Sequence, residues 1–501
     1  MTEHLDVLVV GAGISGIAAA YHLQTDCPGK RYAILERRES IGGTWDLFRY
    51  PGIRSDSDMY TFGFPFRPWM EDEGIAAGDK ILRYLKDTAA EFGIDRHIHY
   101  GVSVERASWS SEDATWTVQA TRDGAPVTYT CNFLFMCAGY YRYAEGHTPE
   151  FPGRERFEGT VIHPQHWPED LDYRGKKVVV IGSGATAVTI VPNMADEADG
   201  VTMLQRSPTY FYIAPAIDPV IDAAKKVLPA QAAFLLGRWK YILLGTALYQ
   251  FCRRYPETAR RLLMKGVRSA LEGTDVDVDT HFNPHYTPWE QRLCLVPDAD
   301  FFETIKEGKV DVVTDHIETF TEKGIALKSG RELEADIIVT ATGLKIQFLG
   351  GVPITVDGRA IDPSELLVYR AAMYGDVPNL ASIFGYTNAS WTLKADLICG
   401  YVCRVLNAMD EKGANVVVPR VRDEKPAAPF LEDFSAGYIQ RDVDRFPKQG
   451  AAPPWRVFQN YLKDLFLLGT TDVADGTLEF SHRTPAPKRR KAADTAAAPA
   501  E

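Results

Sequence analysis

The sequence is poor in the features that mark several large classes of protein. Its 501 residues include seven cysteines, an odd number with no CxxC pair, so neither a disulfide framework nor a zinc ribbon can be drawn. Cys399 and Cys403 lie four apart, a spacing that fits two buried thiols on one helix face better than a redox pair. This usage suits a reducing compartment, and the expected location is the cytoplasm. Positive charge is short as well: 55 Lys and Arg against 67 Asp and Glu leave a formal net charge of −12, which argues against a nucleic-acid partner. The run Lys488, Arg489, Arg490, Lys491 is the local exception. It falls in a Pro/Ala-rich end, residues 483–501, that reads as a disordered tail.

Long apolar runs are missing too. The best candidate, residues 230–252, is broken by Arg238 and Lys240 and leaves only Tyr241 to Cys252 uncharged, short of the roughly 20 residues of a membrane span. A buried or interfacial helix is expected there, with peripheral membrane contact left open. At the N-terminus the apolar run from Leu5 breaks at once into GAGISG, so no signal peptide fits.

What the chain has is 45% hydrophobic and 24% charged residues, enough for a sizeable core at a length that favours about two to four domains. LDVLVV (5–10) is a continuous apolar run that ends in GAGISG and continues through IAAAYHLQ to YAILE. That order is strand, glycine turn, helix and strand, closed by Glu36. It recurs as KKVVVIGSGATA, VTIVPNMA and VTMLQR, closed by Arg206. Short strands come after each unit: TWTVQA and PVTYTCNFLFMCAG in the first, VDVVTD, HIETFT, GIALKS and DIIVTATG in the second. The expected fold class is α/β, with two Rossmann-like dinucleotide-binding domains, the second inserted in the first and each carrying a small antiparallel meander. The first domain is expected over 1–143 and 344–482, the second over 144–343. Within the second, 217–288 loses the alternation and reads as a helical insertion.

Gly11, Gly13 and Gly16 permit a tight turn, close approach of backbone to a pyrophosphate, and close packing of helix on sheet. The helix start turns free N–H groups and its positive dipole end toward the phosphates. Glu36 is placed to accept hydrogen bonds from a ribose. The second turn, Gly182, Gly184 and Ala187, is closed by Arg206 where the first has an acid. A carboxylate would repel a 2′-phosphate and a guanidinium can bind one, so the pattern points to NADPH over NADH. Two dinucleotides in one chain imply FAD that stays bound and a nicotinamide that reduces it. Disulfide reductases share this plan but need a cysteine pair beside the flavin. GGTWDLFRYPGIRSDSDMYTF stands there instead, which leaves oxygen as the leading electron acceptor.

FEGTVIHPQHWP (157–168) fits FxGxxxHxxxWP at Phe157, Gly159, His163, Trp167 and Pro168. With this fingerprint between two Rossmann units, the chain resembles the Baeyer–Villiger monooxygenases over nearly its whole length. It looks closest to their ethionamide-activating branch, through GGTWDLFRYPGIRSDSDMYTFGFPFRPW, PWEQRLCLVPDADFF, GYTNASWTLKADL and RFPKQG. The resemblance implies FAD contacts at Ser15, Glu36, Thr44, Trp45, Asp46, Leu47, Asp56 and Val104. It implies a nicotinamide side built from Arg54, Ser55, Asp56, Ser183, Gly184, Ala185, Thr186, Ala187, Val188, Thr189, Arg206, Ser207 and Pro208. By the same resemblance His163 couples the two domains from the linker, Arg292 is the catalytic arginine beside the flavin ring, and Asp56 orients it. A guanidinium there would keep a C4a-peroxyflavin anionic and therefore nucleophilic. One position departs from the family: Gln291 stands where several branches have Lys, which shifts the recognition of a 2′-phosphate onto Arg206.

The activity implied is NADPH- and O2-dependent conversion of ketones to esters or lactones, with oxygenation of sulfides or thiocarbonyls beside it. A flavin monooxygenase confined to nitrogen or sulfur would share the domains, and an FAD/NADPH-binding redox sensor without turnover is the non-enzymatic rival. No metal site is expected. Substrate identity and oligomeric state are not legible in the residues.

Overall fold

The computed structural model describes residues 3–431 and 436–484. The expected tail with Lys488, Arg489, Arg490 and Lys491 lies outside the described residues. A first sheet begins with β1 (Glu3–Val10), β2 (Tyr32–Leu35), β3 (Ile98–His99), β4 (Val102–Ser110), β5 (Thr115–Arg122) and β6 (Ala125–Met136). The chain then builds β7 (Thr160–Ile162), β8 (Lys177–Ile181), β9 (Gly200–Gln205), β10 (Phe211–Ala214) and β11 (Cys294–Pro297). Next come β12 (Val310–Thr314), β13 (Ile317–Thr321), β14 (Gly324–Leu327), β15 (Glu332–Glu334) and β16 (Ile337–Thr340). It returns to the first sheet with β17 (Ile354–Val356), β18 (Arg359–Ala360), β19 (Val368–Tyr369), β20 (Met373–Tyr374) and β21 (Leu380–Ser382). The second unit is therefore inserted in the first.

β1 shows why its apolar run is continuous. It lies between β2 and β6, parallel to both, so both its faces are covered and residues of both parities are apolar. Val7 and Val9 pack in the layer shared with Ile17, Ala18 and Ala20 of helix α1 (Ile14–Asp26). Leu8 and Val10 point into the opposite layer, with Trp116 and Met136. Each such side chain contributes about 1.5–3 kcal/mol when fully buried. After β2 come two short helices, α2 (Thr44–Leu47) and α3 (Met59–Phe62), and the longer α4 (Gly78–Glu91).

The second sheet has the order β12-β9-β8-β16-β7 and is wholly parallel. Helix α5 (Ala185–Met194) packs its Val188, Ile190 and Val191 into this core. Beyond β10 the chain makes a helical excursion, α6 (Pro219–Lys225), α7 (Ala230–Arg254), α8 (Pro256–Ala270) and α9 (Val278–Phe282), before α10 (Asp300–Lys306). Helices α11 (Trp391–Glu411), α12 (Gly437–Gln440) and α13 (Tyr461–Gly469) belong to the returning segment.

The strand runs read from sequence need one correction. VDVVTD and DIIVTATG become β12 and β16 and join the parallel sheet, while the antiparallel meander is β13–β14–β15. Val310, Val312 and Val313 are all buried, as a strand covered on both faces requires. β15 is three residues long with only Leu333 buried, too short to carry a periodic signal. In the first sheet β6 runs antiparallel to β5 over its first part and parallel to β1 toward its end.

Both glycine turns leave the carboxyl ends of parallel strands, where open α/β sheets bind ligands. The outgoing and returning connections between the sheets lie side by side: Arg142 N donates to Lys345 O at 2.9 Å, and Gln347 N to Tyr140 O at 2.8 Å. Among the described residues no helix is long and apolar enough to cross a membrane. All seven cysteines are buried and free.

Gly16 carries the close packing of helix on strand. A Cβ there would sit 1.9 Å from the carbonyl oxygen of Gly11, a backbone atom that cannot give way. Helix propensity alone would favour alanine by about 1 kcal/mol, yet Gly16→Ala should destabilise the protein by about 2 kcal/mol or more. At Gly13 the same Cβ meets Gly43 Cα at 3.6 Å and Gly43 N at 4.0 Å, ordinary contacts, so Gly13→Ala should lower the Tm of the ligand-free protein far less, by no more than the loss of a glycine N-cap. Equal losses in the two variants on thermal unfolding would refute this account of the turn.

Candidate active site

β1 ends at Val10, and Gly11 leaves it with φ 104°, a backbone conformation that L side chains rarely adopt. Gly13 is the N-cap of α1 and no side chain caps the helix, so its first-turn N–H groups are left for an anion. Glu36 closes β2 and is buried. One carboxylate oxygen accepts from Ala12 N and the other from Arg38 N, both at 2.8 Å. Burial raises the Glu36 pKa, opposed by these two N–H groups. The bonds fix the carboxylate and leave each oxygen a lone pair for a hydroxyl. A cleft lined by Gly11, Gly13, Ser15, Glu36, Thr44, Trp45 and Val104 runs from this turn to Asp56 and Arg292. An uncapped helix start beside an acceptor carboxylate fits the pyrophosphate and ribose of a dinucleotide.

The second turn repeats the geometry with opposite charge. A Cβ at Gly182 would meet Ala341 O at 2.3 Å, and Gly184 is the N-cap of α5, again without a side-chain cap. Ser183 Oγ donates to Ser207 O at 3.0 Å, tying the turn to the end of β9. Gly184, Ala185, Arg206 and Ser207 are exposed there and Pro208 is buried. The exposed Arg206 presents a cation where Glu36 closes the first unit.

Arg292 sits where the two units meet. It comes shortly after Trp289, whose φ of 70° is rare for a bulky residue. Arg292 Nη2 donates to Asp56 Oδ1 at 3.2 Å. Burial works against its charge, but Asp56 and the phenols of Tyr438, Tyr140 and Tyr141 raise the guanidinium pKa above its ordinary value. Tyr140 OH donates to Tyr141 OH at 2.8 Å. The Tyr140 ring stacks on Trp391, 5.1 Å between centroids and 9° between planes, and Trp391 Nε1 donates to Ser15 Oγ at 2.8 Å. Asp56 and Arg292 also line a second cavity of about 420 Å³, walled by Tyr212, Tyr241, Leu248, Trp289, Leu295, Asn388 and Tyr461. Residues from GYTNASW thus border both cavities.

The fingerprint residues occupy the connection between the units. Phe157 is buried edge-on against Phe320, and a Cβ at Gly159 would meet Asp336 O at 2.4 Å. His163 Nε2 lies 3.1 Å from Gly343 O, and its Nδ1 accepts from Gln165 N at 3.1 Å. A neutral ring protonated on Nε2 satisfies both partners, and burial lowers the His163 pKa. Gln165 Nε2 donates to the carbonyls of Arg142 and Tyr143, both at 2.9 Å. Together these two side chains fasten the outgoing chain to the returning one.

Other residues expected at the cofactors also make contacts within the protein. Asp46 is buried and bonded to Arg38 Nη2 at 2.6 Å, while Leu47 packs with Phe48 and Tyr50 against the core of the second unit. Arg54 is ion-paired with Asp300 of α10. Ser55 is buried and its Oγ accepts from Ala76 N at 3.1 Å. Ala187 and Val188 are within the α5 core, and Thr189 is buried beside them. Of the residues expected at FAD, Asp46 and Leu47 do not line the first cleft. Conversely, Tyr140, Tyr141 and Tyr438 around Arg292, and Gln165 in the linker, carry no motif that marks them in the sequence. Tyr140 and Tyr141 directly succeed Gly139, which was the one available signal.

Residues 5–214 match the family model described as flavin-binding monooxygenase-like. The FAD-containing monooxygenase EthA of Mycobacterium tuberculosis is 54% identical over 490 residues, covering 97% of this chain and 99% of that protein. EthA of Mycolicibacterium smegmatis is 53% identical over 96% of this chain and 98% of its own length. A steroid monooxygenase solved in its oxidized state with NADP bound superposes with a TM-score of 0.74 at 22% identity, covering 96% of this chain and all of that one. That likeness shows the shared fold.

His163 gives the linker a pH dependence. Its folded pKa is depressed, so the unfolded chain takes up the proton first, and the stability contributed by the neutral ring is complete above the ordinary value of 6.5 and lost as pH falls below it. The Tm difference between the parent and His163→Phe should therefore shrink on acidification below that value. A difference that is constant from neutral pH into the acid range in calorimetry would exclude the bridging role.

Proposed function

The chain belongs to the FAD-containing monooxygenases, and on that premise we propose that it is a Baeyer–Villiger enzyme, converting a ketone to an ester or lactone with NADPH and O2. The observation that carries the reading is Arg292, held by Asp56 where the dinucleotide cleft and the second cavity meet. FAD fits the first cleft through the uncapped start of α1 and the Glu36 carboxylate, and NADPH fits the second turn through the start of α5 and Arg206. FAD held there would supply two-electron transfer from NADPH to O2, with one oxygen atom going to the substrate and the other leaving as water.

The residues of the chain have distinct parts in this reading. Arg292 stays protonated at any working pH and stabilises negative charge as it develops on oxygen. Asp56 fixes the direction of the guanidinium. Trp391, stacked on Tyr140 and anchored to Ser15, supplies a flat wall beside the cleft. Leu248, Leu295 and Trp289 give the second cavity apolar walls, which keep water from a bound carbonyl compound and strengthen the electrostatics of Arg292. A cation of this kind does not by itself select a carbonyl over a thioether, so oxygenation of sulfides and thiocarbonyls is part of the proposal.

Two variants test the assignment. Arg292→Ala should still let NADPH bleach the flavin in stopped flow while mass spectrometry finds no ester from a methyl ketone; ester formation at the parent rate would remove Arg292 from the reaction. Arg206→Ala deletes a charge-assisted contact worth about 1.5–3 kcal/mol, so the NADPH/NADH preference in kcat/KM should narrow about tenfold or more. An unchanged ratio would sink the 2′-phosphate role.

A further inference from the structure

Helix α7 is apolar on the wrong side. Its inner face is filled by Ala233, Phe234, Gly237, Arg238 and Ile242, all buried, and an ordinary surface helix would be polar on the other face. Instead Leu235, Leu236, Trp239 and Leu243 are 39%, 45%, 44% and 54% exposed. At 3.6 residues per turn these four form one stripe about 12 Å long on the solvent side. The crowding is local: eleven of the fourteen large hydrophobic side chains exposed among the described residues fall between Ile217 and Leu262. Leu462 and Phe466 of α13 extend the surface, since Tyr461 at the start of that helix packs with Ile242 of α7.

Charge says what such a surface would meet. The helical insertion 217–288 carries ten Lys and Arg against seven Asp and Glu, and four of those acids, Glu272, Asp275, Asp277 and Asp279, follow α8, in a chain whose net charge is −12. Several of these cations are paired within the protein: Arg238 Nη1 donates to Tyr60 O and Gly63 O, Lys240 pairs with Asp218, Lys225 with Asp72, Lys226 with Asp222 and Arg268 with Asp279. Arg253 and Arg254 are exposed, and the helical period puts them on the same side as Leu235 and Leu243. Arg261 and Lys265 are exposed on the next helix. An apolar stripe with a tryptophan, bordered by cations, matches the interface of an anionic bilayer, with the apolar side chains at the acyl boundary and the cations among the headgroups. Pairing between two copies through this face would bring like charges together, which opposes it.

We propose that the solvent face of α7, extended by α13, docks the protein on a lipid bilayer that carries anionic headgroups. The second cavity then lies beneath the docked face, because Leu244 and Leu248 of α7 and Tyr461 of α13 are among its walls. The test is co-sedimentation of the flavin-loaded, full-length protein with phosphatidylcholine vesicles made with and without phosphatidylglycerol. The parent should sediment with the phosphatidylglycerol vesicles and be released by salt. Leu236→Asp/Trp239→Asp/Leu243→Asp should lose vesicle binding, and Arg253→Glu/Arg254→Glu should weaken it about tenfold or more. Both variants should keep the parent's Tm, flavin absorbance and NADPH oxidation in vesicle-free buffer. Failure of the parent to bind either vesicle, or equal binding by the parent and both variants, overturns the proposal. So does a parent that self-associates in sedimentation velocity without binding vesicles while the triple variant is monomeric, which would make the face a contact between copies.

Discussion

One guanidinium at the seam between two separately built sheets sets the terms for the rest of the molecule. Asp56 comes from the first unit and Arg292 from the second, 236 residues apart in the chain. Both side chains form part of the wall of the two cavities. The value of the pair lies in direction. The ion pair aims a cation at the place where the two cavities join, and that place exists only when the units are docked. Arg54, two residues before Asp56, is ion-paired with Asp300, and Phe48 and Tyr50 are buried in the second unit's core. The segment that looks like a cofactor loop is thus also the latch that holds the seam.

The two glycine turns share a physical logic and differ in sign. Each places an uncapped helix start at the carboxyl end of a buried parallel strand, where the dipole and free N–H groups favour an anion. The residue that closes each unit distinguishes them. Glu36 is buried and locked by two backbone N–H groups, while Arg206 is exposed. A carboxylate fixed in this way suits hydroxyls, and an exposed guanidinium suits a phosphate. The fingerprint histidine acts between them as a fastener, with Gln165 completing the clasp on the outgoing chain.

Much of this architecture was legible in the residues. A continuous apolar strand, a glycine turn and a helical period are local features, governed by φ/ψ limits and by side-chain spacing over a few residues, so LDVLVVGAGISG and KKVVVIGSGATA declared themselves. The helical character of 217–288 and the inward packing of Cys399 and Cys403 were legible for the same reason. Where the local signal is ambiguous, the pairing was misread. VDVVTD and DIIVTATG are short apolar strands whose sequence does not say which neighbours they pair with, and they joined the parallel sheet.

By itself, then, the sequence determined two nucleotide-type turns, their opposite closing charges and the linker between them, because each rests on conformational preferences confined to a short stretch of chain. Only the tertiary structure decided that Tyr438 stands beside Arg292 and that Trp391 anchors to Ser15. It also paired Asp46 with Arg38 and Arg54 with Asp300, and gave α7 an apolar face toward solvent. These outcomes depend on how whole elements dock across hundreds of residues, and local spacing carries no record of that docking.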